Sequence, residues 1–222
     1  MASLGVFNCL LQICDDASPE FKRLQAIFPV MLEILAATLH MKDEDSARSA
    51  LELLVDLAEF HVILLRPNVL RLVELMMMIA KSADLDESLR HLAIEVLVTL
   101  SESKPGMVRK IPNFLPEVFS VLLEWMTHLE ENPSWNVGES EDCDDTDAAI
   151  AEESLDRLSI ALAGETIAPI LFSAIPAFLG SGDWRFRHAG LMAISVSGEG
   201  AVKYLSQHLQ DVVGMILPFF ND

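Results

Sequence analysis

Aromatic side chains are scarce. Phe, Trp and Tyr together make up 7% of the 222 residues, with a single Tyr, so any core is aliphatic. Cysteine is scarcer still: Cys9, Cys14 and Cys143 fall at irregular spacing, which excludes a disulfide framework or a zinc pattern and leaves reduced thiols. Basic residues are outnumbered, 15 Lys and Arg against 34 Asp and Glu, for a formal charge of −19. That balance argues against direct binding to nucleic acid or to an anionic membrane surface, both of which need a basic footprint, and favours basic partners. No period-2 alternation marks a strand. No basic segment precedes an apolar run at Met1, so no secretory signal is expected.

Motifs that carry chemistry are missing as well. The six histidines (40, 61, 91, 128, 188 and 208) are scattered one per helix or loop, without an H-E-x-x-H or a Cys/His cluster. Gly180-Ser181-Gly182 lacks the Lys-Ser/Thr that completes a phosphate-binding loop. The run DCDDTD lacks the central Gly and terminal Glu of an EF-hand. No catalytic residue, metal site or cofactor is expected, and the chain does not read as an enzyme.

What is present is an excess of apolar residues at helical spacing, 51% of the chain, with a mean hydropathy of +0.35. Helices buried on more than one side follow from such a composition. Leu158–Leu179 is apolar enough to be weighed as a membrane span, but Gly164, Pro169 and Pro176 predict two short buried helices instead. A short helix is expected over 2–14, then Ser18 as N-cap with Pro19 at the first helical position of a helix over about 19–40, kinked or broken at Pro29. Further helices are expected at about 44–60, 69–81, 87–103 and 107–131, and again at 167–179 and after Asp183. A last one carries YLSQHLQDVVGMILPFFND. In the helix over 44–60, Leu53, Leu54, Leu57 and Phe60 form an apolar stripe beside the carboxylates Glu52, Asp56 and Glu59 at i, i+4 and i+7. Met76-Met77-Met78 reads as core filling.

The helices repeat. Arg48 and Arg90, Ala50 and Ala93, Glu52 and Glu95, Leu54 and Leu97, and Glu59 and Glu102 correspond at an offset of 42–43 residues, and Asp156 and Leu158 take the same places in a third unit. Paired helices at a period of about 40–47 are the signature of HEAT and armadillo arrays. An all-α, right-handed α-solenoid of about four helix pairs plus an unpaired terminal helix is expected over residues 1–222. Both terminal helices are apolar without a capping face, which reads as an interior piece of a longer array that self-associates or is marginally stable when isolated.

One stretch departs from the pattern. Residues 130–156 hold eleven acidic residues and no basic one, and no apolar periodicity returns before Ala148. An acidic insertion at about 132–147 is expected between the two helices of the third pair, with Trp135, Glu139, Glu141, Asp142, Asp144, Asp145 and Asp147. Composition leaves two readings of it: a solvated loop, or an electrostatic device aimed at a basic partner.

The helix DWRFRHAGLMAISVSGEG, with EESLDRLSIAL after the acidic Trp-containing segment and LAIEVLVTLSES before it, resembles the importin-β (karyopherin-β) family in its beta-3 branch. The resemblance implies HEAT repeats of an outer and an inner helix, in a receptor that shuttles between cytoplasm and nucleus. Such receptors carry cargo through nuclear pores past nucleoporins and release it on binding the GTP form of Ran. It places the second helices on the concave, cargo-facing side, with Glu52, Asp56, Glu59, Glu95, Glu102 and Asp156 pointing inward to hold basic cargo, and it makes the insertion an acidic loop that contacts cargo or Ran. The amino-terminal repeats that make the family's main Ran contact have no counterpart here. A second reading stays open beside it, a HEAT scaffold of the tubulin-binding or phosphatase type, although tubulin-binding arrays need basic loops where this chain's major loop is acidic.

Overall fold

The structure, a computed structural model, describes residues 18–129 and 146–221. Five long helices start where the sequence puts an oxygen-bearing side chain just before the first turn. Ser18 Oγ accepts from Phe21 N at 3.0 Å and opens α1 (Pro19–His40). Asp43 Oδ1 accepts from Ser46 N at 3.2 Å and opens α2 (Glu44–Phe60). Asp86, Thr146 and Asp183 do the same for α5 (Glu87–Ser103), α8 (Asp147–Leu162) and α10 (Trp184–Val196). Each cap satisfies an N–H that no helical carbonyl reaches and contributes typically about 1 kcal/mol. The residues in described positions are helical, turn or irregular, and no strand occurs among them.

Contacts divide the chain into two compact units, Met1–Pro112 and Asn113–Asp222. In the first, α2 packs on α1 and, most extensively, on α5; α5 also takes α4 (Val69–Ala80). The short α3 (Val62–Leu65) and a 3₁₀ turn (Arg66–Asn68) link α2 to α4, and α6 (Pro105–Val108) follows α5. Phe28, Leu32 and Leu35 of α1, Leu51, Leu54 and Leu57 of α2, Leu72 and Met76 of α4, and Leu89, Ile94 and Leu97 of α5 are all at most 2% exposed and form the core. Met77 is buried with Met76, whereas Met78 faces outward.

In the second unit α7 (Phe114–Trp125) packs on α8, and α9 (Gly164–Leu179) on α10; α8 meets both α9 and α10. The chain then continues through α11 (Val202–Gln207), α12 (Leu209–Ile216) and a 3₁₀ turn at Leu217–Asn221. The single last helix read from the sequence is thus divided, with the break at His208. The helix expected over 107–131 is likewise two pieces. Asn113 adopts φ 57°, ψ 6°, a left-handed conformation that Asn accepts more readily than most residues, and the chain restarts there as α7.

One proline breaks less than expected, and the two helices expected across Leu158–Leu179 are found. Pro29 lies inside an uninterrupted α1, and Pro169 and Pro176 lie inside an uninterrupted α9. Pro169 and Pro176 are exposed and Pro29 is half-buried, so water can take the carbonyls that the two exposed prolines deprive of an N–H partner. The division between α8 and α9 falls instead at Ala163, at φ 63°. No helix among the described residues is long and apolar enough to cross a membrane. Phe60, assigned from its spacing to the buried stripe of α2, is 67% exposed, because it stands four residues after Asp56 on the outward side of the helix while Leu57 and Ala58 of the same turn face the core.

Beside Ala163 the backbone of residues 198–201 lies directly on the α8–α9 junction. Gly164 N donates to Gly200 O at 3.0 Å, a Cβ on Gly200 would sit 2.2 Å from the Ser159 carbonyl, and one on Gly164 would sit 2.3 Å from Ala201 Cα. Backbone cannot retreat as a flexible side chain does. Gly200→Ala is therefore expected to destabilise the second unit by at least about 1–3 kcal/mol. Ala163→Gly should act in the opposite sense: relief of the positive-φ strain outweighs the extra chain entropy of glycine, a net gain of about 1 kcal/mol. Urea unfolding of both variants measures the two signs; a neutral Gly200→Ala would contradict the close approach.

Candidate functional site

Helix α2 shows how the acidic surface is built. Ala47, Leu51, Leu54, Leu57 and Ala58 recur at three- and four-residue steps and are all buried. The positions left over on the opposite side are Glu52, Asp56 and Glu59, and all three are exposed. On α5 the apolar demand is wider, and Ala93, Ile94, Val96, Leu97, Val98 and Leu100 are each fully buried. Its polar stripe shrinks to Glu95, half-buried, Thr99 and the exposed Glu102; Thr99 Oγ1 donates to Glu95 Oε1 at 3.0 Å. Since α2 and α5 pack together and their sequences correspond at 43 residues, Glu52, Asp56 and Glu59 occupy the same helix positions as Glu95, Thr99 and Glu102. An ion pair of 3.5 Å from Arg48 of α2 to Asp86, the cap of α5, links the same two helices.

Among the described residues, Glu52, Asp56 and Glu59 form no ion pair. Like charges four apart on a helix cost about 0.2–0.5 kcal/mol per pair, so this stripe is held at some expense to α2 and would be relieved by a cationic ligand. The structure brings five of the six expected carboxylates onto two packed helices. The sixth, Asp156, lies half-buried on α8 in the second unit, near the Arg157–Glu153 pair of 3.7 Å. Sequence reasoning missed its neighbour Glu152, whose carboxyl burial pushes above the usual range. The signal was available in its place one turn before Asp156, between Ala151 and Leu155, which are both fully buried.

Of the acidic insertion, Trp135, Glu139, Glu141, Asp142, Asp144 and Asp145 lie outside the described residues. Asp147 does not belong with them. It is the first residue of α8, 8% exposed, and its Oδ2 accepts from His128 Nδ1 at 2.7 Å. The insertion is therefore shorter at its far end than expected, because Thr146 caps the helix and draws Asp147 into its first turn, where a carboxylate is favoured by the helix dipole. On the near side, Arg185 Nε of α10 donates to Leu129 O at 2.8 Å. Both flanks of residues 130–145 are thus held to the second unit.

Two further groups are shifted by their surroundings. Hydrogen bonds from the Ser88 hydroxyl and backbone N–H hold the Asp86 carboxyl below the usual range. Burial holds the His188 imidazole below its ordinary value; its ring meets Trp184 edge-on at 6.4 Å, and its Nδ1 has no hydrogen-bond partner. Among the described residues no group of three or more His, Cys, Asp or Glu is placed to hold a metal ion.

Helices packed in successive pairs, with the second helices of two pairs packed on each other at a 43-residue step, make this an all-α array of the HEAT-repeat class, an α-solenoid fold. Comparison with known proteins gives the kind of array. The importin repeat family matches residues 82–169. Importin subunit beta-3 of Saccharomyces cerevisiae is 29% identical over 208 residues, 91% of this chain and 19% of that protein. A probable importin-5 homolog of Dictyostelium discoideum is 25% identical over 210 residues, 93% of this chain and 20% of that protein. Among solved structures, Kap121p bound to Pho4p superposes with a TM-score of 0.90 at 26% identity, covering 100% of this chain and 22% of that one. Kap121p has also been solved bound to Nup53p and to RanGTP. The resemblance to importin-β receptors carried by the sequence is thus found by each comparison. The chain spans about a fifth of the length of the relatives it matches.

Two outcomes test the site as a structure. Asp147→Ala removes the partner of His128 and the first-turn carboxylate together, and is expected to lower the stability of the second unit by about 1–3 kcal/mol, read from urea unfolding. The second concerns pH. A histidine whose folded pKa is depressed binds its proton more readily in the unfolded chain, so its effect is absent above the ordinary value of about 6.5 and destabilises progressively as pH falls below it. His188→Phe should flatten the loss of melting temperature between neutral pH and mild acid; parallel curves for the two proteins would contradict the assignment.

Proposed function

We propose that this chain is a cargo-binding stretch of a nuclear transport receptor, taking basic, nuclear-localisation-like segments on the acidic stripes of its second helices. One observation carries the reading: the outward positions of two packed helices are acidic at a shared 43-residue step, and three of those carboxylates have no cation paired to them among the described residues. A basic peptide lying across α2 and α5 would meet Glu52, Asp56 and Glu59 on one helix and Glu95 and Glu102 on the next. Asp156 extends the set on the view that residues 1–222 form one array, which is supported by solved relatives that match the whole of this chain. Glu139, Glu141, Asp142, Asp144 and Asp145 would raise the local concentration of a basic partner through their field, with Trp135 as an apolar contact. The likeness to importins and to Kap121p supports transport over scaffolding, a role without catalysis, and shuttling between cytoplasm and nucleus. Ran and nucleoporins enter as partners of the longer receptor to which such a stretch belongs.

Surface plasmon resonance against a Lys-rich peptide at several salt concentrations tests this. The triple change Glu52→Gln, Asp56→Asn, Glu59→Gln should weaken binding about tenfold, since each exposed pair contributes about 0.2–1 kcal/mol. Glu95→Gln, half-buried beside Thr99, should act mainly on dissociation. Changing Asp142, Asp144 and Asp145 to Asn should mainly slow association and flatten its salt dependence. A peptide with Glu in place of Lys that binds equally well would overturn the proposal.

A further inference from the structure

The first unit also contains the reverse of an acidic surface. A groove of about 850 Å³ runs between the connection after α2 and the connection after α5, bounded by α3, the start of α4, and α6. Arg66, Lys104 and Lys110 line it, and no Asp or Glu does. In a chain with 34 acidic and 15 basic residues, three cations in one groove without a carboxylate are a marked local inversion of charge. All three are exposed, and none forms an ion pair among the described residues. The remaining wall is aliphatic: Ile63 is 43% exposed and Leu70 53%, with Met107 beside them.

We propose that this groove is a docking site for a short acidic peptide segment of a partner protein, with one large apolar anchor between carboxylates. The volume lies within the range that holds small ligands and side-chain anchors, about 300–1,000 Å³. The charge fixes the sign of the occupant. Three cations drawn together without counter-charge repel one another, and a segment bringing Asp or Glu relieves that repulsion while its anchor removes Ile63 and Leu70 from water. The chemistry of the wall separates a peptide from the other polyanions. Single-stranded nucleic acid is held by stacking bases on aromatic rings, and no aromatic residue lines this groove. A nucleic acid or an anionic bilayer would also meet the field of a protein with a charge of −19 over its whole approach, whereas a short segment need only meet the groove. The occupant is opposite in charge to the one proposed for the α2 and α5 stripes, and the site stands independently of that reading.

Fluorescence anisotropy of the full chain tests the proposal, using a fluorescein-labelled peptide with a central Leu-Phe pair between two runs of Glu. Saturable binding is expected, weakening with salt, about tenfold weaker after Lys104→Gln with Lys110→Gln and weaker again when Arg66→Gln is added. Replacing Leu-Phe by Ala-Ala in the peptide, or Leu70→Ser in the protein, should each weaken it about three- to tenfold. Circular dichroism and a cooperative melt establish that the variants are folded; Lys104 and Lys110 are exposed, so the spectrum should be unchanged and the melting temperature should fall by no more than loss of the Lys104 charge at the end of α5 accounts for. The proposal is overturned if the Glu peptide does not saturate, if a Gln-for-Glu peptide binds as well, or if the lysine variants bind with unaltered affinity. It is also overturned if labelled oligouridylate or anionic vesicles displace the peptide and bind more tightly in a lysine-dependent way. Sedimentation showing a dimer that the lysine changes abolish would assign the groove to a second copy of the chain instead.

Discussion

The packing of α2 against α5 is the contact from which most other features of the first unit follow. Helix α5 is enclosed by α2 on one side and α4 on another, and six of its residues between Ala93 and Leu100 are fully buried. A helix enclosed to that degree has one narrow strip on which charge is tolerated, because an isolated ionised group in the interior costs several kcal/mol or more. Charge placement is then no longer a free choice of the surface. Apart from Arg90, which is 8% exposed and reaches Glu87 at 3.8 Å, charge along α5 keeps to the strip, and the strip recurs with the repeat.

The same confinement explains why so much was legible in advance. Ser18 with Pro19 marks a helix start by a mechanism that depends on a few neighbouring residues only, and the 43-residue correspondence from Glu52 to Glu95 needs no coordinates. What sequence reading misjudged depended on the surroundings. Pro29 is a helix breaker by local rule, yet α1 runs through it without a break. Phe60 fits the spacing of a buried stripe but shares its helix face with the exposed Asp56, while Leu57 and Ala58 of the same turn take the buried side. Asp147 reads as one more acid in an acidic run, and only the cap at Thr146 and the nearby His128 separate it from the others. The Arg66, Lys104 and Lys110 groove was not visible at all, because its cations come from two stretches almost forty residues apart and each looks like an ordinary solvated residue on its own.

Two opposite charges therefore share the first unit without neutralising each other. The carboxylates of α2 and α5 run from the middle of each helix to its last turn, where apolar packing dictates their spacing, while the cations gather at the connections that follow those helices. Basic side chains near helix C-termini are favoured by the dipole, and this offers a local reason for Lys104 directly after α5. The two surfaces differ in construction as well as in sign: one is an open row, the other a concave site with an aliphatic wall.

The contacts at Leu129 and Asp147 have a consequence for how such a protein can change. Arg185 holds one flank of residues 130–145, and His128 with the Thr146 cap holds the other, so among the described residues the α7–α8 pair is joined by contacts on both sides of that stretch. Lengthening a flexible connection is inexpensive, about 0.6 kcal/mol for each doubling. The helix pair is therefore a socket into which stretches of different length and composition could be exchanged without retuning the repeat, and recognition chemistry placed there is free to diverge at a pace that the packed helices are not.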